Sequence, residues 1–211
     1  MQIIDLANPA ARLRDTRGVQ RVPHPSLELF IMRRFVTAGM CSELISRIDQ
    51  RRRPSDIADD LGIANFRTSE SCDLDSADPI VAEVDGMICE LLGLPPHHGE
   101  PLQGQRYAVG QEFRPHTDTF NPNGADYYVH CADSGQRTWT AMIYLNQPDE
   151  GGATRFKTIA KTVQPELGKL LAWNNLLLSG QPNNATLHQG MKVRRGTKYV
   201  LTKWFRERAY R

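Results

Sequence analysis

The chain has 211 residues, a formal charge of +2 with histidines neutral, and a hydrophobic fraction of 40% in a count that leaves out its 16 glycines. That composition belongs to an ordinary folded domain and excludes a disordered tail, a coiled coil and a low-complexity repeat. A balance this close to neutrality gives no electrostatic basis for nucleic acid as the main partner. No run of about 18 apolar residues offers a membrane span. Residues 1–24 read as an N-terminal extension with no apolar stretch of secretory length, and His24 sits between two prolines in an extended lead-in.

Two helices follow. Thr37 can cap a segment whose apolar residues Met40, Leu44, Ile45 and Ile48 recur at helical spacing. Asp78 as cap, Pro79 in the first turn and Gly93 just past the end bracket a second, with the stripe Val81, Val84, Ile88 and Leu91. Between them, Arg51, Arg52 and Arg53 form a basic run best read as a solvated helix end. The rest of 51–77 reads as loop with one short strand. Beyond Pro95 and Pro96 the pattern changes to short apolar or alternating runs at 102–109, 137–145, 169–173, 191–193 and 198–205, separated by turn-forming residues. Two helices followed by many short strands predict one α+β domain, a β-sandwich or barrel carrying the helices on one side. Cys41, Cys72, Cys89 and Cys131 are widely spaced with no C-x-x-C pair, so free thiols and a cytoplasmic location are expected.

The chemistry concentrates around His116-Thr-Asp118. In an extended segment these two side chains lie two residues apart and share a face. An imidazole and a carboxylate so placed are two of the three ligands of the facial triad that holds non-haem iron(II), and the third is a histidine from a distant strand. His188, seventy residues beyond Asp118, can supply it. The tripeptide alone is weak, because a surface His and Asp in a turn account for it equally well. Ten residues after His188, the run from Lys198 to Phe205 alternates with period two. Lys198, Val200, Thr202 and Trp204 share one face; Tyr199, Leu201, Lys203 and Phe205 share the other. An unpaired ammonium on a buried face is costly, so Lys198 makes sense there if that face receives an anion. An exposed edge strand with Lys198 in water is the other reading.

Five segments together resemble the prolyl 4-hydroxylase branch of the iron(II)/2-oxoglutarate-dependent dioxygenases. They are Q-R-Y-A-V-G-Q-E-F-R-P-H-T-D from Gln105, R-T-W-T-A-M-I-Y-L-N from Arg137, E-G-G-A-T-R-F from Glu150, P-E-L-G-K-L-L-A-W from Pro165, and L-H-Q-G-M-K-V-R-R-G-T-K-Y-V-L-T-K-W from Leu187. The resemblance covers residues 25–208 and implies a double-stranded β-helix core, jelly-roll or cupin-like. On it, 25–100 give helical support packed on the major sheet and 101–208 form the core. It also implies that His116, Asp118 and His188 bind Fe(2+), and that Lys198 pairs with the distal carboxylate of 2-oxoglutarate. Tyr107, Thr154 and Thr202 are implied in holding the same co-substrate, and Phe113, Arg137 and Trp204 in surrounding the substrate. Dioxygen is the remaining co-substrate, with ascorbate a candidate reductant, and the reaction implied is hydroxylation with succinate and carbon dioxide as co-products.

Departures from the family's usual pattern bear on the substrate. Thr117 and Thr119 stand where relatives carry aromatics, and Phe113 stands in place of a tyrosine. A prolyl residue in a peptide or protein leads, with a free amino acid or another small molecule as the alternative. A zinc hydrolase gives no role to Lys198, and a non-catalytic module binding Pro-rich peptide needs no complete triad. His97, His98 and His130 are expected to be solvated or in loops, and Trp139 and Trp173 to fill core. The loops at 51–77 and 121–136 are where substrate choice is expected to lie. A homodimer is left open, since no motif specifies one.

Overall fold

The computed structural model describes residues 8–55, 66–124 and 127–210. In chain order it forms α1 (Asn8–Asp15), β1 (Val19–Val22), β2 (Leu29–Met32), α2 (Ala38–Arg51), β3 (Arg53–Pro54), β4 (Glu70–Asp73) and α3 (Pro79–Leu92). Then come β5 (Gln103–Tyr107), β6 (Phe113–His116), α4 (Tyr127–Cys131), β7 (Arg137–Tyr144), β8 (Glu150–Gly151), β9 (Thr154–Phe156) and β10 (Lys161–Val163). The chain closes with β11 (Leu170–Asn174), β12 (His188–Gly190), β13 (Val193–Arg195) and β14 (Lys198–Arg206). Both expected helices form with their expected caps. Thr37 accepts from the Met40 amide, Asp78 accepts from the Ile80 amide, and Gly93 ends α3 in the left-handed conformation (φ 66°), which glycine adopts without steric cost.

An eight-stranded antiparallel sheet runs β1-β2-β11-β7-β14-β5-β4-β3, and a four-stranded sheet runs β10-β9-β12-β6. Period-two alternation sorts the central strands. Trp139, Ala141 and Ile143 of β7 and Tyr199, Leu201 and Phe205 of β14 face the helices, where they meet Leu13, Leu44, Ile48, Val84 and Ile88. Met142 and Tyr144 of β7, Val200 of β14, and Leu171 and Trp173 of β11 face the second sheet and meet Tyr107 and Phe156. The two faces thus divide the apolar residues into a helix-side core and an intersheet core. The α+β reading with helices on the larger sheet holds, and the two-sheet core is that of a double-stranded β-helix. All four cysteines are buried and unpaired, as expected.

Several local readings are corrected. Residues 8–24, set apart as an extension on sequence, form α1, which packs on α3, and β1, which begins the large sheet. The segment 51–77 contributes two strands rather than one: β4 pairs with β5 along Glu70–Asp73 and β3 pairs with β4; residues 56–65 lie outside the described part. The strand expected at 191–193 is a break, with His188–Gly190 in the small sheet and Val193–Arg195 paired with β8. Lys198 is in no edge strand, because β14 lies between β7 and β5 and is buried along its length.

The seating of α2 on the sheet depends on Gly104 of β5. A Cβ there would overlap Ile48 Cγ1 of α2. Gly104→Ala is therefore expected to destabilise the fold by about 1–3 kcal/mol through overpacking, read as a lower urea midpoint with an unchanged slope.

Candidate active site

His116 ends β6 and His188 begins β12, and the two residues are direct partners across that antiparallel pair. Asp118 follows two residues after His116. Strand pairing and the two-residue step thus bring together three groups separated by up to 72 positions in sequence. One ligand atom from each of His116, Asp118 and His188 lies within 4.8 Å of the others, and His116 Nε2 is 3.8 Å from Asp118 Oδ1. Asp118 and His188 are buried and His116 is half-buried.

Each imidazole is oriented from behind. His116 Nδ1 is 2.8 Å from the Arg114 carbonyl and His188 Nδ1 is 2.9 Å from the Thr186 carbonyl. A carbonyl only accepts, so both Nδ1 atoms carry the proton and both Nε2 lone pairs are left for a cation. Burial, reinforced by the neighbouring His188, holds His116 down at about 3, so its ring is neutral at pH 7. Burial works against the Asp118 carboxylate. Interactions with His188, His116 and the Arg137 guanidinium and a hydrogen bond from Thr140 outweigh it and hold that carboxyl below its usual value. Two imidazoles and one carboxylate on one side of an open position are the donor set of a mononuclear iron(II) centre.

Behind the triad, between the sheets, a small cavity is lined by Gln105, Tyr107, Thr154, Lys198, Thr202 and Trp204 together with all three ligand residues. Lys198 is 2% exposed. Its Nζ lies 4.9 Å from the Tyr107 ring centre and 5.5 Å from that of Tyr144, and it has no carboxylate partner among the described residues. Burial alone pulls its ammonium down to about 7. Lys203, on the opposite face of the same strand, is equally buried but sits 2.5 Å from Asp85 of α3. The contrast identifies Lys198 as a buried cation whose counter-ion must come from outside the protein. A dicarboxylate such as 2-oxoglutarate, with one end at the triad and the other at Lys198, fits that requirement.

The hydroxyls expected around this cavity are present, with different engagements. Tyr107 donates to Gln105 Oε1 (2.8 Å), and Thr202 accepts from Gln105 Nε2 (3.2 Å). Thr154 Oγ1 lies 2.6 Å from the Tyr144 hydroxyl, which also faces the Val163 carbonyl at 3.2 Å. Gln105 and Tyr144 were not anticipated. Both lie inward on strands whose alternation was legible, so a polar side chain on a core-facing position was the available signal.

On the outer side, the triad opens into a cleft of about 600 Å³. Phe113 stacks on His116 with ring centres 3.5 Å apart, and Arg137 lies 4.0 Å from the Trp204 ring centre. Arg137 also makes paired contacts of 2.6 and 2.7 Å to Glu100, a residue that sequence reading missed. Glu100 additionally accepts from Arg206 at 3.1 Å. The structure therefore gathers all ten anticipated site residues at two connected cavities. The loop at 121–136 carries α4, whose Tyr127, Val129 and His130 line the cleft; residues 125 and 126 lie outside the described part. Arg206 and Arg208 donate to the carbonyls of His130, Cys131, Ala132 and Asp133, which holds α4 against the end of β14. Trp139 fills the helix-side core as expected. Trp173 is also core, but it lies edge-on to His188 at 5.0 Å. His98 is half-buried rather than solvated, with Nδ1 3.1 Å from the Arg206 carbonyl.

Residues 102–206 match the family model described as the 2OG-Fe(II) oxygenase superfamily. The chain belongs to that superfamily, and membership implies iron(II), 2-oxoglutarate and dioxygen at the site just described. Among curated proteins it is 34% identical over 149 residues to prolyl 4-hydroxylase subunit alpha-1 of Rattus norvegicus, covering 70% of this chain and 28% of that one. It is 37% identical over 145 residues to subunit alpha-3 of the same organism, covering 67% and 26%. The chain thus spans less than a third of the length of these relatives. The fold is that of the viral collagen prolyl hydroxylase of Paramecium Bursaria Chlorella virus-1, solved with 2OG (TM-score 0.66, 23% identity, 91% of this chain and 97% of that one). It is likewise similar to a Pseudomonas putida prolyl-4-hydroxylase (TM-score 0.57, 22% identity, 95% and 100%).

Proposed function

We propose that the protein is an iron(II)- and 2-oxoglutarate-dependent hydroxylase of prolyl residues in a peptide or protein. The observation that carries the reading is the uncompensated Lys198 ammonium in the same cavity as the His116, Asp118 and His188 donor set. A metal-binding triad alone fits many chemistries. A triad that shares a cavity with a buried cation lacking its anion fits a dicarboxylate co-substrate. The similarity to prolyl 4-hydroxylase alpha subunits over most of this chain supports the choice of substrate.

The chemistry that iron(II) and 2-oxoglutarate supply together when bound is oxidative decarboxylation coupled to hydroxylation of an unactivated C–H bond, with succinate and carbon dioxide as co-products. The protein's part is placement. His116 and His188 present Nε2 and Asp118 presents Oδ1 toward one point. Lys198 neutralises the distal carboxylate, and the Thr154 hydroxyl lines the same cavity. Met142, Trp173 and Val200 give the inner cavity an apolar wall. Arg137, fixed by Glu100 and laid on Trp204, gives the cleft a flat, rigid side against which a ring can rest.

The test is succinate release across a panel of proline-containing peptides and free amino acids, with mass detection of one added oxygen atom. Coupled succinate and oxygenated prolyl product are expected from at least one peptide. Turnover confined to a free amino acid would overturn the substrate assignment while leaving the reaction class intact.

A further inference from the structure

Asp118 is held by a chain of hydrogen bonds that reaches across the molecule. Thr140 Oγ1 donates to Asp118 Oδ2 at 2.7 Å, and Asn175 Nδ2 donates to Thr140 Oγ1 at 2.8 Å. Thr140 and Asn175 are completely buried and Asp118 is 7% exposed. Thr140 lies in the middle of β7, and Asn175 directly follows β11. The Asn175 backbone is fixed on both sides: its amide donates to the Thr138 carbonyl at 2.7 Å and its carbonyl accepts from the Asn183 amide at 2.8 Å. Asp118 itself lies past the end of β6, and its carbonyl accepts one long contact, from Arg137 Nη1 at 3.4 Å.

The direction of each bond follows from the groups involved. An ionised carboxylate only accepts, so the single Thr140 hydrogen goes to Asp118 Oδ2. Thr140 then has only lone pairs left for Asn175, which must present its amide nitrogen. Oδ2 is thereby occupied, and Oδ1 is the oxygen that faces His116 Nε2. We propose that Thr140 and Asn175 are a positioning relay that reserves one Asp118 oxygen for the protein and presents the other alone to the metal. A carboxylate free to rotate could take two coordination positions; the relay keeps one of them open for co-substrate or dioxygen. This proposal rests on the reading of the triad as an iron(II) site.

The test is anaerobic titration of the full chain with Fe(II), and with Co(II) as an oxygen-stable probe, alongside the variants Thr140→Val, Thr140→Ser and Asn175→Ala. Thr140→Val keeps the shape and removes only the hydroxyl. It is expected to weaken metal binding about 10–100-fold, the usual effect of losing a group that orients a metal ligand. Thr140→Ser should restore wild-type affinity, and Asn175→Ala should fall between the two. The Co(II) absorption spectrum should change in Thr140→Val and not in Thr140→Ser, which a purely structural role would not produce. Wild-type affinity and spectrum in both Thr140→Val and Asn175→Ala would overturn the relay, as would equal losses in the Val and Ser variants. A wild-type chain that binds neither metal would refute the iron site itself, and the relay with it.

Discussion

His116→Ala, Asp118→Ala and His188→Ala are each expected to abolish 2-oxoglutarate turnover, whether or not a peptide is present. The three side chains converge from β6, the residues just after it and β12, with their donor atoms within 4.8 Å of one another. No fourth His, Cys, Asp or Glu among the described residues joins them to compensate for a loss. Two remaining donors cannot fix an octahedral cation in one orientation, so the loss should appear in metal content as well as in rate. The chain should still fold, because His116, Asp118 and His188 all line cavities. Succinate formation at the wild-type rate in any one variant, with metal retained, would remove that residue from the site.

The second large effect is expected from Lys198→Met, and it has opposite signs for stability and function. Burial lowers the folded-state Lys198 to about 7, against an ordinary value of 10.5. Below pH 7 the lysine is charged in both the folded and unfolded chain, and the folded chain carries the full cost of a buried ammonium. From pH 7 to about 10 the unfolded chain alone holds the proton, so the stability of the ligand-free protein rises across that window. Methionine has similar length and no charge. Lys198→Met should therefore stabilise the ligand-free protein by on the order of 3–5 kcal/mol at pH 6, with the gain shrinking toward pH 10. The same variant should lose about 100-fold or more in 2-oxoglutarate affinity, because the distal carboxylate is then buried without its cation. Urea unfolding of both proteins at pH 6 and pH 9, with and without co-substrate, checks both halves. A destabilised variant that binds 2-oxoglutarate normally would mean that Lys198 serves the fold and not the ligand.

The elements that sequence reading recovered are those whose signal is local. α2 and α3 carry their own caps and stripes, and β7 and β14 are long enough for period two to separate a helix-facing side from a cavity-facing side. β9, β10, β12 and β13 have three residues each, too few to show a period, and are strands only because neighbours pair with them. The hairpin of β1 and β2 was missed for a related reason, since Val-Gln-Arg-Val becomes a strand by pairing with Leu29–Met32 rather than by its own pattern. Residue type and spacing made the triad and Lys198 candidates, but only the resemblance of five ordered segments chose them over a surface turn and an exposed edge strand. Thr140 was legible only in part: it is a polar residue on the inward side of a buried strand, but nothing in the sequence says that its hydroxyl meets Asp118. Asn175 and Glu100 gave no signal, because their roles exist only once β11, β14 and the loop after β6 are brought together.

In the proposed function one cavity holds a metal at His116, Asp118 and His188 and a dicarboxylate between that metal and Lys198. Anaerobic titration with iron(II) followed by 2-oxoglutarate tests it most directly, through the weak visible metal-to-ligand charge-transfer band that forms when the keto acid chelates the iron. The band should rise to saturation at one iron per chain, be absent in Asp118→Ala, and in Lys198→Met require far higher 2-oxoglutarate concentrations. A folded wild-type chain that shows no band at saturating iron and 2-oxoglutarate would contradict the account.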